Sequence, residues 1–133
     1  IEEKRLDILF ETDADSMIAY ADKDSIHQVM YNLCENAIKF SREEGMLRIS
    51  IKRGEKNKLV ISVYNEGAGI PREDLPLVFD RFYKSDKSRG LDKTGVGLGL
   101  YIAKTIIEAH GQEIWAKSAF GEYSEFVFTL EKA

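Results

Sequence analysis

The stretch HQVMYNLCENAIKFS sets Asn32, Asn36 and Lys39 along one edge of a single helix. A carboxamide oxygen there can ligate Mg2+, a hard cation that takes oxygen donors and keeps several waters. A lysine one turn on can meet a phosphate as a point charge. In TGVGLGLYIAK, residues 94–104, Gly95, Gly97 and Gly99 alternate and run into an amphipathic helix. A helix N-terminus presents unpaired N–H groups and a positive dipole end, and glycines let phosphate oxygens reach them. A third stretch, NEGAGIP at 65–71, follows the apolar run LVISVY. Its glycines permit a turn and a close approach to the backbone. Each stretch also has a plain structural reading: a polar helix flank, a flexible loop leading into a helix, and a strand end. Neither G-x-x-x-x-G-K-[ST] nor G-x-G-x-x-G occurs, so no common phosphate-loop signature decides between them.

The charges around these stretches are uneven. The chain carries a formal net charge of −4, which argues against a generally basic nucleic-acid binder. Yet Arg81, Lys84, Lys87, Arg89 and Lys93 face only Asp86 and Asp92 within residues 81–93, beside the glycine loop. Such a cluster is either a solvated face or one wall of an anion site. His27 and His110 stand in no nucleophile or metal context and read as structural or exposed. The single cysteine, Cys34, cannot form an internal disulfide, which points to a reducing compartment. No apolar run approaches the ~20 residues that span a bilayer, and no signal peptide is visible.

The elements that hold these residues follow from periodicity. Leu6, Ile8 and Phe10 alternate in a strand, and Met17, Ile18 and Tyr20 form a second. A helix follows, opened by Asp22 or by Ser25 with Gln28 in capping-box spacing, and Gly45 is expected to end it. Its apolar stripe is Ile26, Val29, Met30, Leu33 and Ala37. Leu47, Ile49 and Ile51 make a strand, and RGEKNK turns into LVISVY. A short helix is predicted at Arg72–Leu75 and a longer one at about Leu98–His110, stopped by Gly111. EIWAKS and EFVFTL close the chain, with Phe126, Phe128 and Leu130 on one face. Strands and helices mix without regular alternation. The prediction is an α+β two-layer sandwich, a mainly antiparallel mixed sheet covered on one face by helices. At 133 residues, one domain is expected over 1–133. The start without Met reads as a piece of a longer protein.

Together these stretches resemble the ATP-binding catalytic domain of bacterial sensor histidine kinases, part of the gyrase, heat-shock chaperone, histidine kinase and mismatch-repair ATPase superfamily. HQVMYNLCENAIKFS is similar to the N box, NEGAGIP to the first glycine box, FDRFYK to the F box and TGVGLGL to the second glycine box. GEYSEFVFTL resembles the terminal G-x-G-[TS]-x-F stretch, with Tyr123 replacing its second glycine. The match spans nearly the whole chain in the family's order.

The resemblance implies a Bergerat-type fold that binds ATP with Mg2+. Asn36 would ligate the metal, with Asn32 and Lys39 near the phosphates. Gly67, Gly69 and Ile70 would line the adenine pocket, with Asn65 at its polar end. Tyr83 and Lys84 would border the nucleotide, Lys84 near the terminal phosphate. Residues 84–97 would form a mobile ATP lid, with Thr94, Gly95, Val96, Gly97, Leu98, Gly99 and Leu100 around the phosphates. Ser124 of the terminal stretch joins the nucleotide site. Phe79 and Phe82 would anchor the lid by packing. Asn36, Lys39 and Lys84 would serve catalysis.

One departure stands out: the family usually has Asp at position 65, to accept from the adenine amino group. The implied activity is presentation of the ATP γ-phosphate to a histidine on a separate dimerisation domain, which is absent here. The partners implied are that domain and, through the full-length kinase, a response regulator. No nucleic acid is implied, and the domain itself would be a monomer outside the membrane, on the cytoplasmic side of a membrane-bound sensor. Two alternatives remain: a binding-only degenerate module, suggested by Asn65 and Tyr123, and a gyrase- or chaperone-type ATPase clamp. The clamp would need a general-base glutamate where Asn32 stands. An anti-sigma-type serine kinase is disfavoured by FDRFYK and the long lid.

Overall fold

The computed structural model describes residues 5–12, 18–81 and 98–133. Its strands are β1 (Asp7–Thr12), β2 (Ala19–Tyr20), β3 (Met46–Arg53), β4 (Lys58–Glu66), β5 (Ile114–Ala119) and β6 (Tyr123–Lys132). The helices are α1 (Lys23–Phe40), a 3-10 helix (Arg72–Leu77) and α2 (Gly99–Ala109). The strands form one sheet in the order β1-β3-β4-β6, and β2 and β5 share the far edge of β6. β1 runs parallel to β3, and the other pairs are antiparallel. This is the predicted α+β sandwich.

Alternation along β4 and β6 decides which face is covered. Leu59, Ile61, Val63 and Asn65 on β4, with Ser124, Phe126, Phe128 and Leu130 on β6, are all buried. Val29, Leu33 and Ala37 of α1 and Ala103 and Ile107 of α2 pack into the same core as the apolar members of this set. The opposite face carries Tyr64, whose ring stacks on Tyr123 at 5.2 Å and is capped by the Arg48 guanidinium at 4.4 Å. Trp115, opposite Val127 in the β5–β6 ladder, lies on that outer face too.

Asp22 caps α1, and the Ser25–Gln28 box does not form. The Ser25 N–H and hydroxyl both donate to Asp22 Oδ2, at 2.9 and 2.5 Å. Those bonds, the hydroxyl's foremost, hold the Asp22 carboxyl below its ordinary range. A depressed folded-state pKa contributes stability above the unfolded value, about 3.9, and loses it as pH falls through the folded value. Asp22→Ala is therefore expected to lower the melting temperature at pH 7. The gap should narrow as pH drops below about 4, which thermal melts of both proteins across pH will check.

Gly45 does not end α1. The helix stops at Phe40, where Ser41 turns to extended backbone and its hydroxyl donates to the Ala37 carbonyl at 2.5 Å. The left-handed residue of the following turn is Glu44, at φ 62°. Gly45 is needed for space instead: a Cβ there would lie 3.0 Å from the Arg42 carbonyl oxygen and 3.1 Å from that of Glu66.

Candidate functional site

The asparagine edge of α1 meets the N-terminus of α2. Asn32 Nδ2 donates to the Gly99 carbonyl at 3.1 Å, and Gln28 Nε2 donates to Asn32 Oδ1 at 2.9 Å. Both ends of the Asn32 amide are thus used within the protein, and Asn32 acts as a strut between the helices. Asn36 follows one turn later and is half-buried. Lys39 is also half-buried, with Nζ 5.9 Å from the Phe40 ring centroid. Among the described residues no side chain caps α2 at Leu98, which leaves its first-turn N–H groups without a described side-chain acceptor. Leu100 packs against the core. Gly99 is in the first turn of α2, where an added Cβ would sit 4.0 Å from Asn32 Cβ and Cγ, an ordinary contact.

Glu35 does not approach this edge: it is exposed and takes a hydrogen bond from the Tyr31 hydroxyl, which raises the phenol's pKa. The position a clamp-type ATPase would give to a general base therefore holds an engaged amide, with the neighbouring carboxylate tied elsewhere. Among the described residues, no group of three or more His, Cys, Asp or Glu side chains could hold a metal ion. A cation here would depend on carboxamide oxygen, water and ligand oxygens.

The first glycine box lies between the end of α1 and the β5–β6 turn. Gly67 forms a bridge with Ser41, and its N–H donates to the Glu122 carbonyl at 3.1 Å. A Cβ on Gly67 would come within 2.0 Å of the Phe40 carbonyl oxygen. Gly69 has φ 71°, and a Cβ there would lie 2.5 Å from the Ala119 carbonyl oxygen. What approaches these two glycines is the chain's own backbone. The Ile70 N–H donates to Ser118 Oγ at 2.7 Å, and its side chain packs on the core.

Asn65 is 1% exposed, and its Oδ1 accepts from Ser124 Oγ at 2.8 Å. Its Nδ2 is buried with no hydrogen-bond partner among the described residues. An unpaired buried amide costs about 1–3 kcal/mol, and a polar ligand edge removes that cost. This orphan donor, with the start of α2 held beside Asn32, fits a nucleotide. Tyr123 does not bear on the site, because it stacks on the outer face while its neighbour Ser124 points inward.

Phe79 packs edge-on against Phe126, with ring centroids 5.9 Å apart, and Lys104 Nζ lies 5.8 Å from the Phe79 centroid. Arg81, the one described member of the basic cluster, stacks on the Tyr101 ring and donates to its hydroxyl at 2.9 Å. Phe82, Tyr83, Lys84, Thr94, Gly95, Val96 and Gly97 lie outside the described residues. His110 is structural: it accepts from the Asp22 N–H at Nε2 and meets the Ile106 carbonyl at Nδ1, at 3.0 and 2.8 Å. Sequence reasoning missed this link, since only the fold brings the start of α1 to the end of α2. No described helix is long and apolar enough to cross a membrane.

Residues 21–133 match the family described as histidine kinase-, DNA gyrase B- and HSP90-like ATPase. The chain is 48% identical over 110 residues to sensor histidine kinase WalK of Bacillus subtilis strain 168. That match covers 82% of this chain and 18% of WalK. The nucleotide-free catalytic domain of histidine kinase ThkA superposes with a TM-score of 0.81 at 34% identity, covering 96% of this chain and 80% of that one. ThkA in complex with the response regulator protein TrrA matches with a TM-score of 0.77 at 32% identity, covering 96% of this chain and 34% of that one. The order of the boxes, the helix-covered sheet and these matches establish that the chain belongs to this ATP-binding family, as a histidine kinase catalytic domain.

Proposed function

We propose that this domain binds Mg2+-ATP and presents the γ-phosphate to a histidine on a separate dimerisation domain of a longer sensor kinase. The observation that carries this reading is the Asn32–Gly99 hydrogen bond, which sets the asparagine edge of α1 against the start of α2. Bound Mg2+-ATP supplies the transferable phosphoryl group, and the protein's part is positioning and charge neutralisation. Asn36 would hold the metal through its carboxamide oxygen. Lys39 and Lys84 would balance phosphate charge. The first-turn N–H groups of α2 would orient phosphate oxygens. Asn65, Ser124 and Ile70 would form the base end, with Gly67 and Gly69 shaping the strand end that supports it.

The chain accounts for a small share of its full-length relatives. The sensing and phosphoacceptor parts, a response regulator partner and a membrane-bound parent with this domain on the cytoplasmic side therefore belong to the same proposal. With Asn32 engaged and Glu35 turned away, no base on this edge is placed to activate water among the described residues. The isolated chain is expected to bind a non-hydrolysable ATP analogue in a Mg2+-dependent way by calorimetry. ATP turnover should be far below the 1–10³ s⁻¹, roughly, of ordinary enzymes. Turnover in that range would instead support a clamp-type ATPase.

A further inference from the structure

Resting on the nucleotide reading above, we propose that Asn65 and Ser124 form a base-reading pair that presents a hydrogen-bond donor, so that the domain accepts 6-oxopurine nucleoside triphosphates alongside ATP. The two residues are directly opposed in the β4–β6 ladder and are 1% and 4% exposed. A serine hydroxyl has one proton, and here it goes to Asn65 Oδ1. That bond sets the amide with its nitrogen turned away from Ser124, where Nδ2 has no partner among the described residues. Reversing the amide would make it the donor to Ser124 Oγ and send the hydroxyl proton to seek another acceptor. A Cβ on Gly67 would lie 3.2 Å from Nδ2, tighter than an ordinary contact, so any larger residue there would crowd the amide.

The orientation matters at the six-position of a purine. Adenine carries an amino donor there, whereas hypoxanthine and guanine carry a carbonyl acceptor. A fixed N–H2 meets the carbonyl with a hydrogen bond and so removes the cost of its own burial. Adenine is still accommodated, because Oδ1 retains a second lone pair beside the one Ser124 uses. A carboxylate at the same position offers acceptors only. It would favour the amino group and repel the carbonyl. Residue 65 thus sets tolerance at the six-position, and Ser124 sets the orientation of residue 65.

Calorimetric titration with the Mg2+ salts of ATP and inosine triphosphate tests this directly. These nucleotides differ at the six-position and N1, without guanine's extra 2-amino group. The parent chain should bind them within about threefold of each other. Asn65→Asp should raise the ATP preference by about tenfold relative to the parent. Ser124→Ala releases the amide so that Oδ1 can turn to the amino group, and should shift the ratio the same way by about threefold. It also keeps the test decisive if the buried carboxylate unfolds the first variant. An ATP preference above about tenfold in the parent, or a ratio unchanged by either variant while both nucleotides bind, overturns the proposal. If folded parent chain binds neither nucleotide, the nucleotide reading itself falls, and this inference with it.

Discussion

Asn36→Ala is expected to abolish the Mg2+-dependent part of nucleotide binding, a loss on the order of 100-fold, while the fold stays intact. Asn36 is half-buried within α1, one turn from the strut residue Asn32. Alanine is the best helix former, so the backbone gains rather than loses. The described residues contain no acidic or imidazole cluster able to replace the lost oxygen. Titration of an ATP analogue with and without Mg2+, alongside circular dichroism, checks both halves of the expectation. Unchanged Mg2+-dependent affinity would remove Asn36 from the metal's coordination sphere.

Gly67→Ala is the substitution expected to damage stability most. The added carbon would stand 2.0 Å from the Phe40 carbonyl oxygen and 3.0 Å from its carbon. Those are backbone atoms at the end of α1, so no side chain can swing away. Relief requires moving β4 off the helix end, which breaks the Ser41–Gly67 bridge and the Gly67–Glu122 hydrogen bond. Overpacking that forces backbone shifts costs typically 1–3 kcal/mol and occasionally more, and this contact lies at the upper end, above about 3 kcal/mol. A domain of this class has only about 5–15 kcal/mol in total. Urea denaturation followed by circular dichroism should show a large fall in midpoint. A midpoint shift worth less than about 1 kcal/mol would mean that the strand end yields more easily than its contacts indicate.

Gly67 also shows where sequence reading stops. Its glycine character is visible in NEGAGIP, but two causes produce the same letter: an approaching ligand, or an approaching carbonyl from a residue distant in sequence. Periodicity along β4 predicts the strand and its buried face, because alternation is a local property. It says nothing of Phe40, which arrives only when α1 docks. Asn32 fails in the same way. Its helix edge is legible, yet the Gln28 and Gly99 bonds that take up its amide depend partly on α2 packing alongside. Tyr123 is the converse case. As a departure from a motif it suggested a weakened site, but a one-residue step along β6 flips the side chain to the far face. Asn65, by contrast, was legible both as the polar end of an apolar strand and as a departure. The structure added its orientation through Ser124.

The outer-face position of Trp115 separates two signals that are often confounded. It is the chain's single tryptophan. Its indole sits across the sheet from Asn65, Ser124 and the two helices. Intrinsic fluorescence therefore reports whether β5 remains paired with β6, and is insulated by the sheet from what occupies the helix-covered side. Emission can follow unfolding of any variant in the presence of nucleotide without quenching by a base stacked on the reporter. A nucleotide-induced change in that emission would reveal that occupancy of one face strains the other.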